Sequence, residues 1–149
     1  PGARVAMQPA DLAALAAGVV EFYEPLAADA GVNLRATATA QPTVAVDRPM
    51  MQRALGNLLT NALAFTPHGG SVTVTTRLVD GRPEIEVADT GCGIAPERLP
   101  TIFDGAYTDL AERPPSGARA GLGIGLSIVR SILRLHHGSV SIDSAPGRG

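Results

Sequence analysis

Apolar residues recur along this chain with two different periods, and each change of period marks a new element. Leu12, Leu15, Val19, Phe22 and Leu26 are spaced by three and four, which lays one apolar stripe along a helix. Asp11 stands where an N-cap belongs and Gly31 where the helix must close, while Pro25 is expected to bend it near its end. Val32 to Thr39 and, after Gln41-Pro42, Thr43 to Val46 read as short strands. Asp47 then opens a second helix from Arg48 to Phe65, with Pro49 tolerated in the first turn and Met51, Leu55, Leu58, Leu59 and Ala62 toward the core. Thr66-Pro67-His68-Gly69-Gly70 ends it in a turn.

Alternation takes over in Ser71 to Leu78, a hairpin turn follows at Val79-Asp80-Gly81-Arg82, and Glu84 to Asp89 returns as the partner strand. After Ile94 the period is lost: Pro96, Pro100, Gly105, Pro114, Pro115 and Gly117 break up a long connection of the kind that serves as a lid. A helix resumes from Leu122 to His136 with Ile128, Val129, Ile132 and Leu135 on its apolar side. Gly138 ends it, and Ser139 to Ser144 reads as a last strand with Val140 and Ile142 inward. The predicted fold class is α/β, an α+β two-layer sandwich in which a mixed, mostly antiparallel sheet carries about three helices on one face, with a flexible lid.

Composition narrows this picture. At 149 residues and 45% hydrophobic content the chain is one domain, 1-149, with its own core. Aromatics are 3% and Trp is absent, so that core is built from Leu, Ile, Val and Ala. All twelve positive charges are Arg, against fourteen acids; a net charge of −2 gives no general attraction to nucleic acid or to an anionic membrane, so phosphate binding must be local. A single Cys excludes an internal disulfide and a multi-thiolate zinc site and suits a reducing cytoplasm. No stretch is apolar for long enough to span a membrane. Starting at Pro1 without Met and ending in Ala145-Pro146-Gly147-Arg148-Gly149, the chain is expected to be a fragment of something longer.

Three places carry candidate chemistry. Asp89 falls on the same strand face as Ile85 and Val87, where an unpaired carboxylate would cost several kcal/mol, so it needs a fixed partner. Gly91 and Gly93 follow it and leave room for something flat, such as a nucleobase with an exocyclic amine; a plain turn after a strand fits the same pattern. Asn57 and Asn61 lie one turn apart on one side of the second helix, where Asn is a poor helix former. Gly121-Leu122-Gly123-Ile124-Gly125-Leu126 is a glycine-rich turn running into a helix.

In order, Asn57 to Ala62, Asp89-Thr90-Gly91-Cys92-Gly93, Ile102-Phe103-Asp104 and Gly121 to Leu126 closely resemble the N, G1, F and G2 boxes of the catalytic and ATP-binding domain of two-component sensor histidine kinases, of the GHKL or Bergerat fold. The resemblance implies ATP and Mg²⁺ as cofactors. It implies that Asp89 accepts a hydrogen bond from the adenine amine, with help from a water and Thr90, while Gly91 and Gly93 let the base lie against the loop. Asn61 would coordinate Mg²⁺, and Asn57 would bind phosphate or share the metal's shell. Phe103 would anchor the lid, unless it is an ordinary core aromatic. Gly121, Leu122, Gly123, Gly125 and Leu126 would place backbone N–H groups and a positive helix end at the phosphates.

The chain also departs from that family. A basic residue common near Ala64 is missing, and the usual Phe-Asp-Arg-Phe-Tyr-Arg is replaced by Phe103-Asp104-Gly105-Ala106-Tyr107-Thr108. These changes bear on the γ-phosphate rather than on adenine or metal. Gyrase-type ATPases and anti-sigma-factor serine kinases share the fold but generally carry Glu four residues before the metal-binding Asn. Here Asn57 stands there, and an amide cannot act as the base that water or serine needs. The resemblance therefore implies phosphoryl transfer to a histidine in two-component signalling. A degenerate nucleotide-binding or docking module, or an anti-sigma serine kinase, is the alternative. His68 is read as a turn residue, and His136 and His137 as helix-end residues whose partly positive imidazole suits the carbonyl end. The acceptor histidine is expected on a dimerisation hairpin before Pro1, and a final strand after Gly149. The fragment is then a cytoplasmic monomer, and its parent a homodimer anchored in the bacterial inner membrane that phosphorylates a response regulator.

Overall fold

The structure, a computed structural model of the chain, describes residues 5–91 and 122–141. Cys92, Gly93, Phe103, Gly121, the expected lid and 142–144 of the expected last strand lie outside the described residues. The elements are β1 (Gln8–Asp11), α1 (Leu12–Ala30), β2 (Asn33–Ala38), β3 (Thr43–Val46), α2 (Arg48–Phe65), β4 (Ser71–Val79), β5 (Arg82–Asp89) and α3 (Leu122–Leu135). This is the expected α/β architecture, with three helices among the described residues. β1 pairs antiparallel with β3 in a small sheet. The main sheet is mixed, in the order β2-β4-β5: β2 runs parallel to β4, and β5 antiparallel to it.

Local chemistry sets the boundaries. The Asp11 carboxylate accepts from the Ala14 N–H, and Gly31, at φ 68°, closes α1 by donating to Ala27 and Ala28. Asp47 caps α2 by accepting from the Met50 N–H, and Pro49 sits in the first turn. Asp80 and Gly81, with φ of 53° and 78°, form the two-residue turn between β4 and β5 whose twist matches the strands. Along β4, Val72, Val74 and Thr76 face the helices and are buried, as the alternation requires. Val72 and Val74 join Leu15, Val19, Val20, Leu55, Leu59 and Leu63 in the main core. Ala54, Val129 and Ile132 form a second, smaller cluster between α2 and α3.

Several expectations need correction. α1 buries Leu12, Leu15, Ala16, Val19, Val20 and Ala27, whereas Phe22 and Leu26 are 77% and 48% exposed. A three-and-four spacing is shared by two adjoining stripes. The buried one includes Tyr23, which packs over Gly56 of α2 so closely that a Cβ there would stand 2.7 Å from its hydroxyl. As expected, α1 runs past Pro25 to Ala30 and closes at Gly31. β1 carries no periodic signal, since Ala10 alone of its four residues is buried, and it exists by pairing with β3. Leu135, expected inward, is 45% exposed and lines a shallow groove with Met50, Arg53 and Ile128. α3 closes on His137 rather than Gly138: His137 takes the left-handed conformation at φ 58°, while Gly138 donates to the Leu133 carbonyl at 2.8 Å. Ser139, Val140 and Ser141 are not in a strand.

Candidate functional site

The site is built where α2 ends and β5 runs out of sheet. α2 stops at Phe65 because the chain turns extended at Thr66, whose buried hydroxyl donates to the Ala62 carbonyl at 2.7 Å and closes the last turn. After β5, the loop returns onto that helix end. A Cβ on Gly91 would run into the Phe65 carbonyl oxygen and come within 2.9 Å of Asp89 Oδ1, so only glycine lets the loop lie there. Sequence reasoning singled out Gly91 but could not supply this reason. The strand pairing is extended by Thr90, whose N–H donates to the Ser71 carbonyl at 3.1 Å and whose hydroxyl accepts from the Ser71 N–H at 3.0 Å. The Thr90 hydroxyl is thus engaged by the sheet.

Asp89 has the fixed partner its position demands. Its Oδ1 accepts from the Gly91 N–H at 2.8 Å, and Oδ2 takes no hydrogen bond from the described residues. Asn57 and Asn61 stand one turn apart on α2, both partly buried. The Asn61 Nδ2 is buried without a hydrogen-bond partner among the described residues. An orphaned buried amide is rare and costs about 1–3 kcal/mol, which makes Asn61 a candidate ligand contact. Turning the amide over would put Oδ1, a suitable oxygen for a hard cation, in the same position. The described residues hold no cluster of three His, Cys, Asp or Glu that could bind a metal, so an ion here would rely on amide oxygen together with its own ligands.

α3 brings the remaining residues. Leu122, Gly123, Gly125 and Leu126 lie in its first turns, where the leading N–H groups have no partner within the helix. Leu126 is buried. Gly93, Phe103 and Gly121 fall outside the described residues.

A further link, invisible in the sequence, joins the far ends of α2 and α3. The buried Asp47 carboxylate accepts from Ala6 N–H through Oδ2 and from Met50 N–H through Oδ1, at 3.0 and 3.1 Å. These N–H groups, Ala6 first, hold its carboxyl below the usual carboxylate range. The Asp47 N–H in turn donates to His136 Nε2 at 3.0 Å, and His136 Nδ1 lies 2.7 Å from the Ile132 carbonyl. A carbonyl accepts and an N–H donates, so Nδ1 carries the proton and Nε2 does not. The ring is thus held by one hydrogen bond to the start of α2 and one to the last turn of α3. His68 is an exposed turn residue as expected, its ring packed against Gly31.

Comparison with known proteins identifies the family and the fold. Residues 46–149 match the family described as histidine kinase-, DNA gyrase B-, and HSP90-like ATPase. The sensor histidine kinase CusS of Escherichia coli is 44% identical over 126 residues, covering 85% of this chain and 26% of CusS. The histidine protein kinase DivJ of Caulobacter vibrioides is 45% identical over 121 residues, covering 80% of this chain and 20% of DivJ. The chain therefore spans about a quarter of the length of such relatives. Full-length ShkA in complex with AMPPNP superposes on all of this chain and 30% of its own, with a TM-score of 0.84 and 28% identity. The mycobacterial sensor histidine kinase MprB gives a TM-score of 0.77 at 25% identity, covering 96% of this chain and 99% of that one.

Proposed function

Because the chain belongs to the family of histidine kinase-, DNA gyrase B- and HSP90-like ATPases, we propose that it is the ATP-binding catalytic domain of a sensor histidine kinase. The observation that carries this reading is the orphaned Asn61 amide on the helix against whose end the Asp89–Gly91 loop is seated. Asp89 Oδ2 accepts the adenine amine, Gly91 and Gly93 leave the base room, and Asn61 holds Mg²⁺ with Asn57 beside it on phosphate or in the metal's shell. The leading N–H groups of α3, at Leu122, Gly123 and Gly125, point positive helix dipole at the phosphates, with Gly121 and Leu126 flanking them and Phe103 anchoring a lid. When bound, the metal neutralises polyphosphate charge.

The reaction follows from Asn57. With an amide where a base would be needed, neither water nor serine is activated, whereas a neutral imidazole needs no such help. A histidine nitrogen attacks the γ-phosphorus, the bond to the bridging oxygen breaks, and ADP leaves. The acceptor is carried on a dimerisation hairpin outside this chain: His136 has both nitrogens engaged, and His68 and His137 lie in a turn and at a helix end. The phosphoryl group then passes to a response regulator. Among the described residues no helix is long and apolar enough to cross a membrane; we place the parent in the bacterial inner membrane as a homodimer with this domain on the cytoplasmic side. A second reading, a nucleotide-binding or docking module without transfer, draws on the missing basic residue at Ala64 and the altered stretch Gly105 to Thr108. Incubating the chain with the purified acceptor hairpin of its parent and radiolabelled ATP decides between them. Label on the hairpin histidine supports transfer; nucleotide binding without label supports the second reading.

A further inference from the structure

We propose that His136 is a positioning residue for nucleotide binding: its imidazole sets where α3 stands along α2, and so where the first turn of α3 meets the phosphates. The proposal rests on the functional reading above. Its ground is the pair of hydrogen bonds from one ring, Nε2 accepting from the Asp47 N–H at 3.0 Å and Nδ1 donating to the Ile132 carbonyl at 2.7 Å. The first fixes the ring to the start of α2, and the second to the last turn of α3.

The start of α2 thus meets the end of α3, and the two helices run antiparallel. Ala54 packs against Val129 and Ile132 between them. From Asp47 on to Asn61 and from His136 back to Leu122 are equal steps of fourteen residues. At about 1.5 Å of rise per residue, both lead roughly 21 Å from the clasp and arrive at the same level. Asn61 and the opening turn of α3 are therefore held side by side by a contact at the opposite end of the helix pair. The cluster between the helices is apolar, with Ala54, Val129 and Ile132 buried and Met50, Leu58, Ile128 and Leu133 packed against them, and smooth apolar contacts permit sliding that a directed hydrogen bond from a ring oriented by its own helix does not. The Asp47 carboxylate is in turn tied to Ala6, outside the helix pair, as well as to Met50 in the first turn of α2.

The test uses two substitutions. His136→Phe keeps a ring of similar size and removes both hydrogen bonds; His136→Gln keeps one donor and one acceptor. Calorimetry with a non-hydrolysable ATP analogue and Mg²⁺ should show His136→Phe weakened about three- to thirtyfold, the range over which remote residues modulate binding. Adenosine, held at the Asp89 side, should change by no more than about twofold, and His136→Gln should restore most of the analogue affinity. Val19→Ala, which trims the main core, serves as the comparison: it should lower the melting temperature without separating the two ligands. Equal losses for analogue and adenosine, or His136→Phe binding like the wild type, would overturn the proposal. If His136→Phe does not fold, His136→Asn carries the same comparison, because its shorter amide reaches Ile132 but not Asp47. Failure of the wild-type chain to bind nucleotide at all would refute the functional reading instead. Amide exchange along Ile128 to Leu135 without nucleotide then decides the clasp: faster exchange in His136→Phe supports it, and unchanged exchange sinks it.

Discussion

Replacing Asp89 by Asn changes one atom type at the end of β5 and should reverse the base preference of the site. In the native chain Oδ1 accepts from the Gly91 N–H at 2.8 Å. The Asn side chain must keep its carbonyl there, because turning its amino group inward would set two donors against each other. The amino group then occupies the place of Oδ2 and presents a donor where adenine also presents one. A hydrogen bond to a charged acceptor contributes about 1.5–3 kcal/mol, so the affinity for Mg²⁺-ADP should fall about ten- to a hundredfold. The melting temperature should change little, since the Gly91 bond survives. Inosine diphosphate, which carries a carbonyl in place of the amine, supplies the complementary arm: it should bind the native chain weakly and gain on Asp89→Asn. Calorimetry with both nucleotides on both proteins measures the coupling directly. An unchanged dissociation constant for ADP, or equal losses for both nucleotides, would refute adenine reading by Asp89.

Asn61→Ala should weaken ATP binding chiefly when Mg²⁺ is present; an equal loss measured in chelator would remove the metal from its role. His137→Gly should stabilise the fold by about 1 kcal/mol, seen as a higher melting temperature, because His137 bears the left-handed conformation that glycine adopts without strain. Asp47 has its folded carboxyl held below the usual range by Ala6 and Met50, so its contribution to stability is fully present above its unfolded pKa of about 3.9 and is lost as pH falls from there toward the depressed value. Asp47→Asn should flatten that acid limb of a melting-temperature profile, and an unaltered limb would contradict the assignment.

The sequence announced α2 almost residue for residue because side-chain chemistry marks both of its ends: Asp47 and Pro49 open it, and Thr66-Pro67 closes it. The β4–β5 hairpin was legible for the same reason, with Asp80-Gly81 at its turn. Phe22 and Leu26 misled because spacing alone cannot choose between adjoining stripes; the choice was made by Tyr23 against Gly56, a contact between helices. For the candidate site, residue types point to Asn57, Asn61, Asp89 and Gly91 as proposals, whereas the Phe65 carbonyl that makes Gly91 necessary is a tertiary fact. The Asp47–His136 link left no trace, since its partners stand eighty-nine positions apart and neither type is unusual at a helix end. Likewise His137 rather than Gly138 took the left-handed turn, although glycine is the more common choice.

The mixed sheet has a kinetic consequence. β4 and β5 are joined by two residues, so their ladder closes locally, on the microsecond scale of an isolated hairpin. β2 reaches β4 only after β3 and all of α2 have been laid down between them, and a parallel pairing at that separation carries a larger loop-closure cost. The strand bearing Asp89 is therefore expected in the folding nucleus, and the β2 edge outside it. Truncating Val74 or Val87 should slow refolding, whereas truncating Leu34 should mainly quicken unfolding. Stopped-flow chevrons of the three variants measure this, and a slowed refolding limb for the Leu34 variant would place the parallel edge in the rate-limiting step.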